Sequence, residues 1–160
     1  MDWSGFAAAA PDLADMARRR FAENRLGLIG TLRADGSPRI SPIEVFFSDG
    51  QLMLGMMWRS RKALDLLRDP RVVVHTAACD PDGVEGDLKV YGRAVDVPDA
   101  GARTRYGDVL EERIKWRPSE PFHLFALDVE SAGYIRFGKD PLAMRWNPSE
   151  GFARIRHPDQ

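Results

Sequence analysis

The spacing of apolar positions changes character near residue 25 of this 160-residue chain. Before that point the apolar side chains repeat at helical intervals on one face: Leu13, Met16, Ala17 and Phe21. This spacing predicts a helix over 11–24. Pro11 suits a first helical position, and arginines late in the segment complement the negative end of the helix dipole.

Beyond residue 25 the apolar residues form short runs that are typical of strands. The first three runs span 26–33, 39–47 and 51–57. They are separated by Asp35-Gly36 and Asp49-Gly50, and an Asp-Gly pair between apolar runs is a strong hairpin signal. We therefore predict three consecutive antiparallel strands.

The remaining chain combines short helices with further strands. Helices are predicted over 60–68, with Ala63, Leu64 and Leu67 as the buried stripe, and within 98–116. Further strands are predicted over 71–77, 87–97, 123–129 and 134–137. The last residues, 139–160, show little periodicity, although Trp146 and Phe152 suggest that this segment docks on the rest of the protein.

Six or seven strands with few short helices predict a mainly β fold, an antiparallel barrel with helices at its ends. We expect one domain over 1–160. It would comprise the N-terminal helix at 11–24, the barrel at 26–137 and a C-terminal tail at 138–160.

Composition narrows the classes of function. A net charge of −1 gives no overall electrostatic attraction to nucleic acid. Cys79 is the only cysteine, so no intrachain disulfide can form, and no His/Cys cluster indicates a metal site. No apolar run approaches a membrane span, and no basic signal-peptide region occurs at the N-terminus. We therefore expect a cytoplasmic protein with no membrane partner.

The segment Arg59-Ser60-Arg61-Lys62 places three cations at the start of the predicted helix. Cations at this positive end of the helix dipole are disfavoured by up to roughly 1 kcal/mol each. Free N–H groups, a serine hydroxyl and basic side chains together form a ready phosphate site. The alternative is that these side chains extend into water or pair with a distant carboxylate.

Four short motifs occur in a fixed order: Asp35-Gly36-Ser37-Pro38, Asp49-Gly50, Ser60-Arg61-Lys62-Ala63 and Asp69-Pro70-Arg71-Val72. With them, the segment from Thr31 to Val74 resembles the pyridoxamine 5'-phosphate-oxidase-like split barrels, which bind FMN. A weaker match continues at Lys89-Val90-Tyr91-Gly92. The resemblance implies a split β-barrel fold and a homodimer with two cofactor sites at the subunit interface.

The resemblance also implies which residues bind the cofactor. Ser60, Arg61 and Lys62 would hold its phosphate. Strand residues would lie along the rest of the cofactor: Arg39, Ile40, Ser41, Gly55, Met56 and Lys89. No catalytic residue is predicted, because a flavin ring itself carries the hydride or electron.

Several positions depart from a true pyridoxamine 5'-phosphate oxidase. Glu44 replaces a common lysine, Gly55-Met56 replaces an aromatic-threonine pair, and Asp87 replaces a glutamine. These departures argue against vitamin B6 oxidation. The predicted function is therefore an FMN-binding oxidoreductase acting on a small organic substrate. The alternatives are an F420-dependent reductase on the same barrel and a non-enzymatic protein that binds or senses flavin or heme.

Two aromatic side chains allow more than one interpretation. Trp58, beside the basic turn, could stack on a cofactor ring or could cover the mouth of the barrel. His75 lies in a strand of valines. It could be an axial heme ligand, but the pattern favours the interpretation that His75 is a hydrogen-bonded histidine in the core or at an interface.

Overall fold

The computed structural model describes residues 1–24, 26–77 and 80–157, so Cys79 lies outside the described residues. These residues form four helices: α1 (Trp3–Ala9), α2 (Pro11–Asn24), α3 (Arg61–Arg68) and α4 (Ala100–Ile114). They also form eight strands: β1 (Leu26–Leu32), β2 (Pro38–Ser48), β3 (Gln51–Met57), β4 (Arg71–Thr76), β5 (Asp87–Asp96), β6 (Phe122–Arg136), β7 (Leu142–Asn147) and β8 (Gly151–Ile155).

The strands form one antiparallel sheet that closes into a barrel. Their order is β3-β2-β1-β4-β5-β6-β7-β8, and an additional pairing of β3 with β6 closes the first six strands. Between β5 and β6 the register shifts after Tyr91, at Gly92. A Cβ at Gly92 would lie 2.1 Å from the carbonyl oxygen of Asp128, so only glycine fits there. The predicted mainly β split-barrel fold is confirmed.

Two apolar clusters hold the helices on this barrel. The larger fills the barrel interior and includes α1, whose fully buried Trp3 and Phe6 pack beside Trp146 of β7. The smaller lies between α4 and the outer side of the sheet, where Tyr106 and Leu110 meet side chains of β2, β3 and β6. The helix α4 therefore covers one part of the outer barrel surface and forms a wall there.

Several predicted elements differ from the structure. The helix α1 was not predicted, because its sequence is too short for a helical repeat to be recognised. The predicted strands 123–129 and 134–137 are one strand, β6, because Ser131 and Ala132 remain paired with β5 despite their weak apolar pattern. The tail docks as the hairpin β7–β8, in which Trp146 faces Phe152.

The buried side of α3 also differs. Leu67, predicted to be buried, is 53% exposed, whereas Asp65 and Leu66 are buried. The difference arises because Asp65 accepts hydrogen bonds from Thr31 of β1 and Arg39 of β2. These contacts turn the Asp65 side of the helix toward the barrel.

Candidate functional site

A cavity of about 550 Å³ lies on the outer side of the barrel. Its walls come from the middle of β2, the end of β3, the start of α3, and α4 with the loop that follows it. Apolar and aromatic side chains predominate among the lining residues: Leu26, Pro42, Ile43, Glu44, Gly55, Met56, Met57, Trp58, Lys62, Tyr106, Leu110, Trp116, Pro118, Ser119, Pro121 and Phe122. A mostly apolar cavity with a few polar groups is the usual form of a small-molecule site.

The start of α3 contains a buried hydroxyl without a partner. Ser60 occupies the N-cap position, and its carbonyl oxygen accepts a hydrogen bond from the Leu64 amide at 3.0 Å. Its side chain does not cap the helix, and its Oγ is buried with no hydrogen-bond partner among the described residues. Such a group destabilises the protein unless it finds an acceptor or donor. This part of the structure therefore fits a ligand with hydrogen-bonding oxygens.

The two cations that follow Ser60 differ in the contacts that they already make within the protein. Arg61 has an exposed side chain and forms no hydrogen bond or ion pair with any described residue. Lys62 lines the cavity and donates from Nζ to the carbonyl oxygen of Pro42 at 2.7 Å. Burial lowers the pKa of the Lys62 ammonium, and the nearby negative charge of Glu44 partly offsets this effect. Together with the free amides of the first helical turn, these groups would fit a phosphate.

Glu44 brings a negative charge into the same cavity. It is half-buried in the middle of β2, and within the described ranges it has no hydrogen bond and no ion pair within 4.0 Å. It is the one carboxylate among the described residues that line the cavity. A half-buried carboxylate without a partner is available to a ligand.

Gly55 leaves room for a tyrosine from α4. A Cβ at Gly55 would lie 2.3 Å from the Tyr106 hydroxyl oxygen, so any side chain there would displace this ring. Burial raises the pKa of the Tyr106 hydroxyl, and the charge of Glu44 raises it further. Tyr106 is therefore a neutral hydroxyl in the cavity wall. Sequence reasoning did not place Tyr106 here, because its contact with Gly55 joins positions far apart in the chain.

Trp58 stacks on a histidine at the rim of the cavity. The ring centroids of Trp58 and His123 are 4.5 Å apart and the rings are inclined by 11°. The Nε2 atom of His123 is buried and has no hydrogen-bond partner among the described residues. The outer side of Trp58 remains open, since the residue is 54% exposed. Trp58 thus covers His123 and still offers a free ring face.

Arg39 lies outside the cavity in a buried polar network. Its Nε donates to Asp65 Oδ2 at 2.6 Å, and Thr31 donates to the same oxygen at 2.9 Å. Arg68 donates to the other carboxylate oxygen of Asp65 at 3.2 Å. Burial alone would raise the pKa of this carboxyl, but the hydrogen bonds from Arg39, Thr31 and Arg68 outweigh it and lower the pKa. The network fixes α3, and hence the basic turn, to β1 and β2.

Asp65 was not among the predicted site residues. The available signal was a carboxylate that stands between the buried Ala63 and Leu66 within a short helix. A charged residue among buried positions requires partners, and the arginine at its own helix's end is one of them.

The other predicted strand residues lie on neighbouring strands, outside the cavity. Ile40 is 73% exposed on the outer surface of the barrel, and Ser41 pairs with Ile29 of β1. Lys89 forms an ion pair with Asp87, whose carboxylate is 3.8 Å from His75 Nε2. Of the predicted set, Gly55, Met56 and Lys62 therefore share the cavity, and Ser60 and Arg61 lie at the start of α3 beside it.

His75 has polar neighbours in the structure. Its Nδ1 lies 2.5 Å from the Thr76 carbonyl oxygen, which adds to its contact with Asp87. Across residues 1–24, 26–77 and 80–157, no cluster of three or more His, Cys, Asp or Glu side chains could hold a metal ion. Over the same part of the chain, no helix is both long and apolar enough to span a membrane.

Comparison with protein families identifies the barrel. The family model described as pyridoxamine 5'-phosphate oxidase matches residues 13–136, which is most of the chain. The chain belongs to this family. The resemblance predicted from the Ser60-Arg61-Lys62 turn and its flanking motifs is therefore confirmed. No curated protein matches the sequence.

Solved structures share the fold at low sequence identity. A heme binding protein from Mycobacterium smegmatis superposes with a TM-score of 0.64 at 19% identity, covering 80% of this chain and 55% of that one. The chain thus spans about half the length of that protein. A Clostridium acetobutylicum protein related to general stress protein 26, of the pyridoxinephosphate oxidase family, has a TM-score of 0.63 at 16% identity, with 84% and 93% covered. PhzG from Burkholderia lata 383 has a TM-score of 0.63 at 13% identity, with 94% and 93% covered.

Proposed function

We propose that this protein binds FMN at the start of α3 and in the adjoining cavity, and that it is an oxidoreductase for a small organic substrate. The observation that carries this proposal is the buried Ser60 hydroxyl, which has no partner among the described residues. It stands between the left-handed Arg59, with φ of 56°, and two cations at a helix start. A bound phosphate would satisfy the hydroxyl and balance the cations.

In this proposal each part of the cavity has a separate task. Ser60, Arg61 and Lys62 bind the phosphate, and the amides of the first turn of α3 add donors. Gly55 and Met56 of β3 line the cavity and would contact the ring system. FMN supplies the hydride or electron transfer when it is bound. The apolar side chains of the α4 wall exclude water from the reacting region.

We further propose a homodimer with the cofactor at the subunit interface. The outer surface of β1, β2, β4 and β5 presents exposed apolar side chains: Leu28, Ile40 and Tyr91. A shallow cavity of about 410 Å³ lies on this surface and includes Ile40 and Tyr91. Exposed apolar surface of this kind marks interaction sites. Arg39, Ser41 and Lys89 lie on the same strands and, in the dimer, would be close to the cofactor of either subunit.

Membership of the family supports FMN as the cofactor. The similarity to a heme binding protein keeps heme as an alternative cofactor, and F420 is the other alternative. Vitamin B6 oxidation is not proposed. The lysine that the family commonly has on β2 is Glu44 here, and a carboxylate disfavours added negative charge in its neighbourhood.

An absorbance spectrum of the purified protein, taken after incubation with each cofactor and removal of the excess, tests this proposal. FMN is expected to give bands near about 375 and 450 nm, a deazaflavin a single band near about 420 nm, and heme a sharp Soret band. Retained F420 or heme in place of FMN would overturn the choice of cofactor. The whole proposal would be overturned if the protein retained none of the three cofactors and none of them raised its melting temperature.

A double variant tests the phosphate assignment. Arg61→Ala with Lys62→Ala should weaken FMN binding about 100-fold, since two charge-assisted contacts are lost. The matched control is Arg19→Ala with Lys139→Ala, which removes the same charges from exposed positions that do not line the cavity. Thermal unfolding should show both variants folded. Equal FMN affinity in the two double variants would refute the assignment.

A further inference from the structure

We infer that Glu44 selects the charge of the substrate, and that the substrate is a flat aromatic molecule carrying a cationic nitrogen. The inference rests on the proposed function, because it concerns the substrate that shares the cavity with the cofactor.

The cavity holds one negative and one positive side chain among the residues that the structure describes. Glu44 and Lys62 are its only charged lining residues among those described. Lys62 already donates to the carbonyl oxygen of Pro42, and the proposed phosphate would take up its positive charge. The charge of Glu44 is then left without compensation. A substrate with a positive nitrogen would supply that compensation, and an anionic substrate would meet repulsion.

The walls of the cavity are rich in aromatic side chains. Trp58 and Trp116 line the cavity and are 54% and 50% exposed, so each has ring surface free for a ligand. Phe122, Pro118 and Pro121 complete the apolar rim. Aromatic faces attract cations as well as flat rings, and tryptophan does so most strongly. A carboxylate among such faces is the arrangement that recognises an aromatic cation.

Among the described residues, no partner competes with a ligand for Glu44. Within the described residues it forms no hydrogen bond and no ion pair, unlike Asp65, which stands in a closed network. Its nearest influences are electrostatic: it raises the pKa of both Lys62 and Tyr106. Glu44 is thus held in the wall by its strand and remains free to contact a ligand.

The test compares two probes that share a ring and differ in charge, 2-naphthylmethylammonium and 2-naphthylacetate. Their dissociation constants are measured by titration calorimetry at saturating FMN and again without FMN. The wild-type protein should bind the cation roughly tenfold more tightly than the anion. Glu44→Gln should bring the two affinities close together, and Glu44→Lys should reverse their order.

The matched control is Glu112→Gln, which makes the same change in a different cavity, lined by side chains of α2, β2 and α4. It should keep the wild-type preference for the cation. Equal affinity for both probes in the wild-type protein would overturn the inference, and this measurement needs no variant to fold. A cation preference that survives in Glu44→Gln would overturn the role of Glu44.

FMN affinity, measured by equilibrium dialysis on the same preparations, separates the two proposals. If FMN binds and the probes do not differ, only the inference about Glu44 fails. If FMN does not bind but the cation preference depends on Glu44, the proposed cofactor fails and the charge selectivity of the cavity stands.

Discussion

Two carboxylates beside the basic turn have opposite surroundings. Asp65 accepts hydrogen bonds from Thr31, Arg39 and Arg68 and is almost fully buried. Glu44 faces the cavity without a hydrogen-bond or ion-pair partner among the described residues. The first carboxylate connects α3 to β1 and β2, so it stabilises the fold. The second forms no such contact among the described residues, so we assign its negative charge to the binding of a ligand.

The largest effect is expected from Asp65→Asn. Removing this charge leaves Arg39 and Arg68 without their common partner, and breaking a buried ion pair in this way costs about 3 kcal/mol. Urea unfolding should show this loss in the free energy of unfolding. FMN binding should weaken as well, because the network positions α3. An unfolding free energy equal to that of the wild-type protein would contradict the structural role of Asp65.

The next largest effect is expected from Gly55→Ala. The added Cβ would lie 2.3 Å from the Tyr106 hydroxyl oxygen and would force α4 or the ring to move. Overpacking of this kind costs about 2 kcal/mol. Gly133→Ala is the matched control in β6, since the nearest atom to its added Cβ is 3.7 Å away. Similar melting temperatures for the two variants would show that Tyr106 does not depend on the glycine.

A smaller effect is expected from acid. Hydrogen bonds hold the pKa of Asp65 below its ordinary 3.8 in the folded protein, despite burial. The folded state therefore gains stability from this group above pH 3.8, and loses the gain as the pH falls through the lowered value. The difference in unfolding free energy between wild type and Asp65→Asn should stay constant from neutral pH down toward pH 3.8 and shrink as the pH falls further through the lowered pKa. A difference that stays constant down to the acid transition would contradict this linkage.

The smallest effect on stability is expected from Glu44→Gln. Because this carboxylate has no hydrogen-bond or ion-pair partner in the part of the chain that the structure describes, its neutralisation should change the free energy of unfolding by no more than about 0.5 kcal/mol. The same urea titration that reports the loss in Asp65→Asn measures it. A loss as large as that of Asp65→Asn would show that Glu44 supports the fold, and the comparison between the two carboxylates would fail.

The local signals in the sequence were reliable where a short segment decides its own conformation. The turns at 35–36 and 49–50 were predicted from Asp-Gly pairs, and Gly36, Asp49 and Gly50 have positive φ values of 82°, 51° and 72°. The start of α3 was predicted from Ser60, which occupies the N-cap position. Turn and cap chemistry depend on neighbours within a few residues, so they can be predicted without the rest of the chain.

Prediction failed where distant segments decide the outcome. The buried side of α3 depends on Arg39, 26 positions away from Asp65. The helix α1 is held in place by Phe47 and Trp146, whose rings pack on Trp3 and Phe6. Neither contact leaves a periodic trace in the short segment concerned, so the pattern of apolar positions could not reveal it.

The sequence by itself determined the meander of β1 to β3, the mainly β class and the basic turn that begins α3. These features follow from strand periodicity, from glycine and aspartate in tight turns, and from capping at a helix start. Only the tertiary structure decided that Gly55, Met56 and Lys62 share a cavity with Glu44, and that Arg39 is bound to Asp65 instead. The physical reason is that closure of the barrel, and the packing of α4 on it, bring together side chains that no local rule relates.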